Sequence, residues 1–385
     1  MPASRRSEID PFHVMEVMRA AEDRERAGGD VLHLEVGQPS TPAPTPIRDA
    51  AAAALIDDRL GYTNAKGVPA LREGLVGWYR DRYAIELDPE SVLVTMGASG
   101  GFSLAFLAAF DVGDRVAVTA PGYPCYRNTL RAFGVEVVEV PVGPETRFVP
   151  TPELLDVVGP LDGLVIASPS NPTGTVLTDA ELAALVEWSE RNDVRLVADE
   201  IYHGITYGDP APSVLAHTSD AVLLQSFSKY WSMTGWRLGW IAAPAELVRP
   251  MERLAQNLFI SAATVSQLGA LAAFDAETVA EADAHVERYA ANREAVLAGL
   301  DEMGCPTAPA DGAFYAYADV SRLGIPAPEL CSTWLDELGV AVTPGIDFDP
   351  ARGDRFIRIS FSESTADVTE AMHRIVEWTR RRSLS

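Results

Sequence analysis

Two short strings carry the residue types that could do covalent chemistry. Ser226-Phe227-Ser228-Lys229 follows an apolar stretch at 221–225, and Thr234-Gly235-Trp236-Arg237-Leu238-Gly239 runs straight into another at 238–242. Together they put two hydroxyls, one amine and one guanidinium at the end of a predicted strand. A lysine so placed can form an imine with an aldehyde cofactor. Ser226, Ser228 and Arg237 can hold a phosphate, the arginine through its planar fork of donors. The alternative reading is a solvated loop lysine and a helix-end arginine. Lysine occurs only at Lys66 and Lys229, so lysine chemistry has two candidates. Lys66 lies in the turn Asn64-Ala65-Lys66-Gly67-Val68 and is expected to be solvent-exposed, or peripheral to the site entrance.

Other strings fall at similar strand ends. Thr95-Met96-Gly97-Ala98-Ser99-Gly100-Gly101 lies between a predicted strand and a helix, where amides of the first helical turn can receive phosphate oxygens. Ser170-Asn171-Pro172-Thr173-Gly174 reads by itself as an Asx or proline turn. Asp199-Glu200-Ile201-Tyr202 closes an apolar strand, and an aspartate there is either a capping group or a site residue. Tyr123 sits in Pro121-Gly122-Tyr123-Pro124. Arg358 sits on an alternating strand, Phe356-Ile357-Arg358-Ile359-Ser360.

The elements that must position these residues follow a βαβ rhythm. Short apolar runs at 91–95, 115–119, 163–168, 195–198, 221–225 and 238–242 read as buried strands, separated by helical patterns. Thr178-Asp179-Ala180-Glu181 has the form of a capping box and opens an amphipathic helix to about Arg191. Such alternation predicts an α/β fold: a large domain at 46–282 with a mostly parallel sheet covered by helices, and ligands beyond the strand C-termini. A long charged helix to Met303 and isolated strands at 313–319, 340–343 and 356–361 predict a second, smaller α+β domain. It is formed by the N-terminal arm at 1–45 and the C-terminal segment at 283–385. The run Gln38 to Pro46 carries four prolines, which excludes a central strand or helix interior and predicts a link between arm and large lobe.

Composition narrows the function classes. A net charge of −24 repels phosphodiesters and anionic lipid, so neither nucleic acid nor membrane is an expected partner. No apolar run reaches the roughly 20 residues of a membrane span, and no signal-peptide pattern follows the polar N-terminus, so a cytoplasmic location is expected. Cys125, Cys305 and Cys331 are far apart with no CxxC or Cys/His cluster, which predicts reduced packing residues and no metal site.

Taken together, the strings resemble the class I/II aminotransferases, pyridoxal-phosphate (PLP) enzymes of fold type I, in register at Ser226, Ser228, Lys229, Gly235, Arg237 and Gly239. The resemblance runs from about Val36-Gly37-Gln38-Pro39 to Arg358. It implies PLP held by Lys229, its phosphate contacted by Ala98, Ser99, Ser226, Ser228 and Arg237, its ring stacked on Tyr123 and its 3′-oxygen met by Asn171 and Tyr202. It also implies Asp199 at the ring nitrogen, where a carboxylate keeps the ring protonated and electron-withdrawing. Arg358 would grip the substrate α-carboxylate as a bidentate pair, helped by the backbone near Gly37 and by Asn171. Tyr62, in Gly61-Tyr62-Thr63, would reach the phosphate of a neighbouring subunit, implying a homodimer with shared sites. The implied activity is amino transfer from an amino acid to a 2-oxo acid by a ping-pong mechanism, with Lys229 as the proton carrier and Asp199 and Tyr202 as catalytic partners. The same scaffold also hosts PLP-dependent lyases and synthases, and, more remotely, sensor domains. Trp231, Phe12 and Tyr315 lie near these segments and are either apolar lining, which would favour neutral, aromatic or aliphatic amino acids, or core packing.

Overall fold

The computed structural model describes residues 3–383. Twelve strands are present among them: β1 (Leu32–His33), β2 (Val92–Thr95), β3 (Arg115–Ala120), β4 (Glu136–Pro141), β5 (Gly163–Ala167), β6 (Arg195–Asp199), β7 (Val222–Ser226), β8 (Gly239–Ala242), β9 (Tyr315–Asp319), β10 (Val340–Ala341), β11 (Thr343–Pro344) and β12 (Phe356–Ser360). Seven of these form one sheet in the order β2-β8-β7-β6-β5-β3-β4. The pairs from β4 through to β7 are parallel, and β8 runs antiparallel to both β7 and β2.

The apolar runs are strands because both faces of the sheet are covered. Side chains alternate between faces along a strand, and here the alternation sorts them into two cores. Val92, Val94, Leu164, Ile166, Leu196, Leu223 and Trp240 enter one cluster, while Leu93, Val165, Val197, Val222, Leu224 and Ile241 enter the other. The predicted capping box forms in full: Glu181 N–H donates to Thr178 Oγ1 at 3.2 Å, and Thr178 N–H donates to Glu181 Oε2 at 2.8 Å. It starts the helix Asp179–Arg191.

The sequence reading had no strand at β4. Its Glu-Val-Val-Glu-Val-Pro string lies at the sheet edge and is mostly part-exposed, so it lacks the continuous apolar run of a buried strand. The predicted strand at 340–343 is two: β10 pairs parallel with β1, and β11 pairs antiparallel with β12. β9 completes a three-stranded antiparallel sheet with β12, which carries Arg358 opposite Tyr317. The four-proline stretch is irregular until Thr45–Asp57, a helix that takes Pro46 into its first turn, where no N–H is needed.

Lys66 corrects an expectation. It is buried rather than solvent-exposed, and its Nζ donates to the Glu90 backbone oxygen at 2.7 Å and to Glu90 Oε2 at 2.6 Å. A long aliphatic stem packs while its charged end finds a carboxylate, a role that turn chemistry alone does not reveal. Trp231 settles the alternative between cavity lining and core. It is core, 1% exposed, tilted against Phe227 at 5.1 Å and Trp78 at 5.3 Å, with its indole N–H on the Ala273 carbonyl.

Candidate active site

The strand directions decide what meets. β2, β3, β5, β6 and β7 all end at one edge of the large sheet, and the reversed β8 begins there. Ala98 and Ser99 follow β2, Tyr123 follows β3, Asn171 follows β5, Asp199 ends β6, and Ser226, Ser228 and Lys229 close β7. Arg237 belongs to the same edge only because β8 runs backwards.

A cavity of about 470 Å³ opens at this edge, with Gly37, Ala98, Ser99, Tyr123, Ser226, Ser228, Lys229 and Arg237 in its wall. The loop bearing Lys229 is anchored by Phe227, fully buried and 4.9 Å from the Trp240 ring. That leaves the amine on the opposite, cavity side. Lys229 Nζ donates to the Gly37 carbonyl at 2.6 Å and lies 5.6 Å from the Tyr202 ring centroid. Burial, then the positive charges of Arg358 and Arg237, lower its proton affinity to a pKa of about 8, against the opposing pull of Asp199.

Asp199 is 3% exposed. Its Oδ1 accepts the Ile201 amide at 3.1 Å, and its Oδ2 accepts the Tyr126 hydroxyl. Burial pushes its pKa up to about 6, while the Tyr126 and Ile201 donors and the Lys229 charge pull it down.

Arg358 comes from the other sheet. Its Nη1 donates to Asn171 Oδ1 at 3.0 Å, its Nη2 donates to the Glu35 carbonyl, and its guanidinium stacks 4.5 Å from the Tyr315 ring. The buried Arg358 Nε has no partner. A buried donor left open on a guanidinium is ready for an anionic ligand. Tyr202 and Tyr315 share a hydroxyl contact at 2.7 Å. Phe12 meets Tyr123 edge-on, its ring 6.0 Å away. Tyr62 stays apart from this group within the chain and is 83% exposed.

Three contributors escaped the sequence reading. The Glu35 carbonyl is backbone, and no side-chain pattern announces it. Tyr315 was expected as apolar lining or core packing, whereas its hydroxyl is engaged. Tyr126 left one signal: it follows Tyr123 by three residues at the start of the helix Pro124–Phe133, so both rings lie on one face.

The phosphate end is a cradle kept open by glycine. Gly97 has φ +68°, and a Cβ there would come within 2.5 Å of Arg237 Nη2; one at Gly239 would meet the Ala98 amide at 2.9 Å. First-turn amides of the helix Gly97–Ala109, the serine hydroxyls and Arg237 thus converge as donors. These residues fit a phosphorylated aldehyde cofactor with a basic ring nitrogen.

Comparison with known proteins agrees with this geometry. The sequence profile "Aminotransferase class I and II" matches residues 29–375. A Mycobacterium tuberculosis protein named valine–pyruvate aminotransferase is 51% identical over 377 residues, 97% of each chain. A Methanocaldococcus jannaschii protein named (5-formylfuran-3-yl)methyl phosphate transaminase is 33% identical over 99% of this chain and 100% of its own. The crystal structure of an aminotransferase from Mycobacterium tuberculosis superposes with a TM-score of 0.97 at 49% identity, covering 99% of this chain and 100% of that one. This chain is an aminotransferase of class I and II, a family that depends on pyridoxal phosphate.

Proposed function

We propose that Lys229 carries PLP at the strand-end cavity and that the enzyme moves the amino group of a neutral amino acid to a 2-oxo acid by ping-pong turnover. The observation that carries this reading is the buried Lys229 amine, bonded to a carbonyl rather than a carboxylate, between Asp199, Arg237 and Arg358. When bound, PLP supplies an electrophilic aldehyde and a cationic ring that delocalises the electron pair left on the amino acid's α-carbon. Ala98, Ser99, Ser226, Ser228 and Arg237 would hold its phosphate, Tyr123 its ring face, Asn171 and Tyr202 its 3′-oxygen, and Asp199 its ring nitrogen.

Arg358 orients the substrate. Its guanidinium takes the α-carboxylate as a two-point pair, with Asn171 and the Gly37 backbone beside it. Lys229 Nζ would take the α-proton, and its pKa of about 8, below the ordinary 10.5, favours the neutral, proton-accepting amine. The neutral preference has two supports: the cavity's cations are Lys229 and Arg237, both already assigned, and Val36, Phe102 and Ile201 contribute apolar wall. The relative named valine–pyruvate aminotransferase agrees with it.

We further propose a homodimer in which exposed Tyr62 reaches the partner's phosphate. The two lobes divide at 46–282 against 1–45 with 283–385, of which residues 1–2 and 384–385 lie outside the described residues. The cytoplasm is the compartment that suits three free cysteines. Among the described residues no helix is long and apolar enough to cross a membrane.

The test is an absorbance spectrum of the protein with PLP, before and after a panel of amino acids, beside Lys229→Ala. A visible band converted by valine, alanine or leucine supports the reading. Preferential conversion by aspartate would overturn the neutral preference, and absence of any band would overturn the cofactor assignment.

A further inference from the structure

Both oxygens of Asp199 are committed, and one commitment belongs to a residue outside the roles assigned above. Oδ1 takes the Ile201 amide, two residues along the same chain segment; Oδ2 takes the hydroxyl of Tyr126 from a different element. The Tyr126 ring is 5% exposed and lies 5.0 Å from Phe102 and 5.4 Å from Tyr123.

We propose that Tyr126 is a positioning residue for the reaction: its hydroxyl fixes the plane of the Asp199 carboxylate and keeps that carboxylate ionised toward the cofactor's ring nitrogen. The inference rests on Asp199 being the ring-nitrogen partner.

A carboxylate this deeply buried drifts toward its neutral form unless donors compensate. The Ile201 amide holds one oxygen but leaves the group free to rotate about that bond. A second donor on the other oxygen, from another helix, removes the freedom. Tyr126 always donates in this pair, because burial and the neighbouring Asp199 charge hold its phenol far above the usual range. Burial is the larger influence on Asp199, so its pKa still rises to about 6, and the Tyr126 bond is the largest of the opposing contributions. Other titratable groups face the same carboxylate. Lys229 favours its charge, Tyr123 and Tyr315 stay protonated, and Glu200 is a second buried acid, held by Ser213 and the Val214 amide. With Tyr126 in place, the proton between acid and ring resides on the ring. Without it, the carboxyl competes for that proton.

The experiment titrates Asp199 in the cofactor-free chain by NMR of ¹³C-labelled aspartate, its signal identified by loss in Asp199→Asn. Tyr126→Phe keeps the ring packing, and its carboxyl midpoint is expected to rise by roughly one to two pH units. A 3-fluorotyrosine at position 126 is a stronger acid and donor and is expected to lower the midpoint; it also decides the matter if Tyr126→Phe does not fold. In the loaded enzyme, Tyr126→Phe is expected to weaken PLP binding about tenfold, and to have no such effect in an Asp199→Asn background. A midpoint unmoved by either change, or equal weakening in both backgrounds, would reduce Tyr126 to a packing residue and overturn the proposal. Failure of the unmodified chain to take up PLP would instead overturn the cofactor assignment, leaving the carboxyl titration as an independent reading of the Tyr126 contact.

Discussion

Two groups of cations at opposite edges of the seven-stranded sheet are held in different ways. At the edge where β3 and β6 begin, cations are neutralised: Arg115 pairs with Glu136 at 3.0 Å, Arg195 with Asp220 at 3.0 Å, and Lys66 with Glu90 at 2.6 Å. At the opposite edge Lys229, Arg237 and Arg358 hydrogen-bond only to carbonyl or amide oxygens. Asp199 lies among them, and the buried Asp347 carboxylate also acts on Arg358. Volume would choose the wrong edge, since the groove beside Lys66 measures about 710 Å³ against 470 Å³ at Lys229. What separates them is unneutralised charge. A cluster of cations held on neutral acceptors is costly in the free protein and is relieved by an anionic ligand, the role proposed above for a phosphate and a carboxylate.

The largest expected difference comes from the two lysines. Lys229→Ala should lower turnover by about a thousandfold or more, because the variant loses both the anchoring amine and the proton carrier; steady-state kinetics with added PLP would measure it. Arg358→Lys keeps the charge but loses the planar fork. A fall of roughly 30- to 100-fold in kcat/KM is expected, and an unchanged value would mean that the arginine does not grip the carboxylate.

Asp199→Asn should cost activity while stabilising the cofactor-free protein. The folded pKa of about 6 lies above the ordinary 3.8, so the folded state favours the neutral acid and the penalty for ionisation grows as pH rises from about 4 through 6. The variant's advantage above pH 6 should reach about 3 kcal/mol, less one of the two hydrogen bonds that the carboxylate accepts from Tyr126 and Ile201, since an amide has a single acceptor oxygen, and should vanish near pH 4. Denaturant melts at both pH values test this. For Lys229 the sign reverses. Its folded pKa of about 8 lies below the ordinary 10.5, so the neutral, nucleophilic amine accumulates through pH 8. PLP capture by the empty protein should therefore quicken about tenfold between pH 7 and 9, as followed by stopped-flow absorbance. The smallest effect belongs to Lys66→Met. Glu90 is 69% exposed at its side chain and keeps Arg72, so stability should move by less than about 1 kcal/mol with kcat unchanged. A large loss of activity there would erase the contrast between the edges.

Much of the site was legible because strand-end strings need few assumptions. Lys229, Asp199 and Arg237 could be assigned to one edge once the apolar runs were read as alternating with helices. Tyr126 was harder, because its partner is distant in sequence and a tyrosine among aromatics reads as packing. Lys66 was misjudged for a related reason. Its turn context is local, whereas its burial depends on Glu90, twenty-four residues on. Trp231 stood open between cavity lining and core, and nearness to Lys229 in sequence could not decide it, because Ser228 and Lys229 face the cavity whereas Phe227, Tyr230 and Trp231 enter the core.

What the sequence determined by itself was the set of strands and helices and the residues that end them, since apolar period, capping boxes and prolines act within a few residues. It also set the chemistry on offer: two lysines, one strand-end aspartate and two arginines beside strand ends. Tertiary structure decided which charges stay unneutralised. The reversal of β8 brings Arg237 to the lysine, β12 from the smaller sheet delivers Arg358, and the backbone at Glu35 and Gly37 supplies the carbonyls that hold both cations. Proton affinities of about 8 at Lys229 and about 6 at Asp199 arise from burial and from neighbours remote in the chain, which no local pattern of residues encodes.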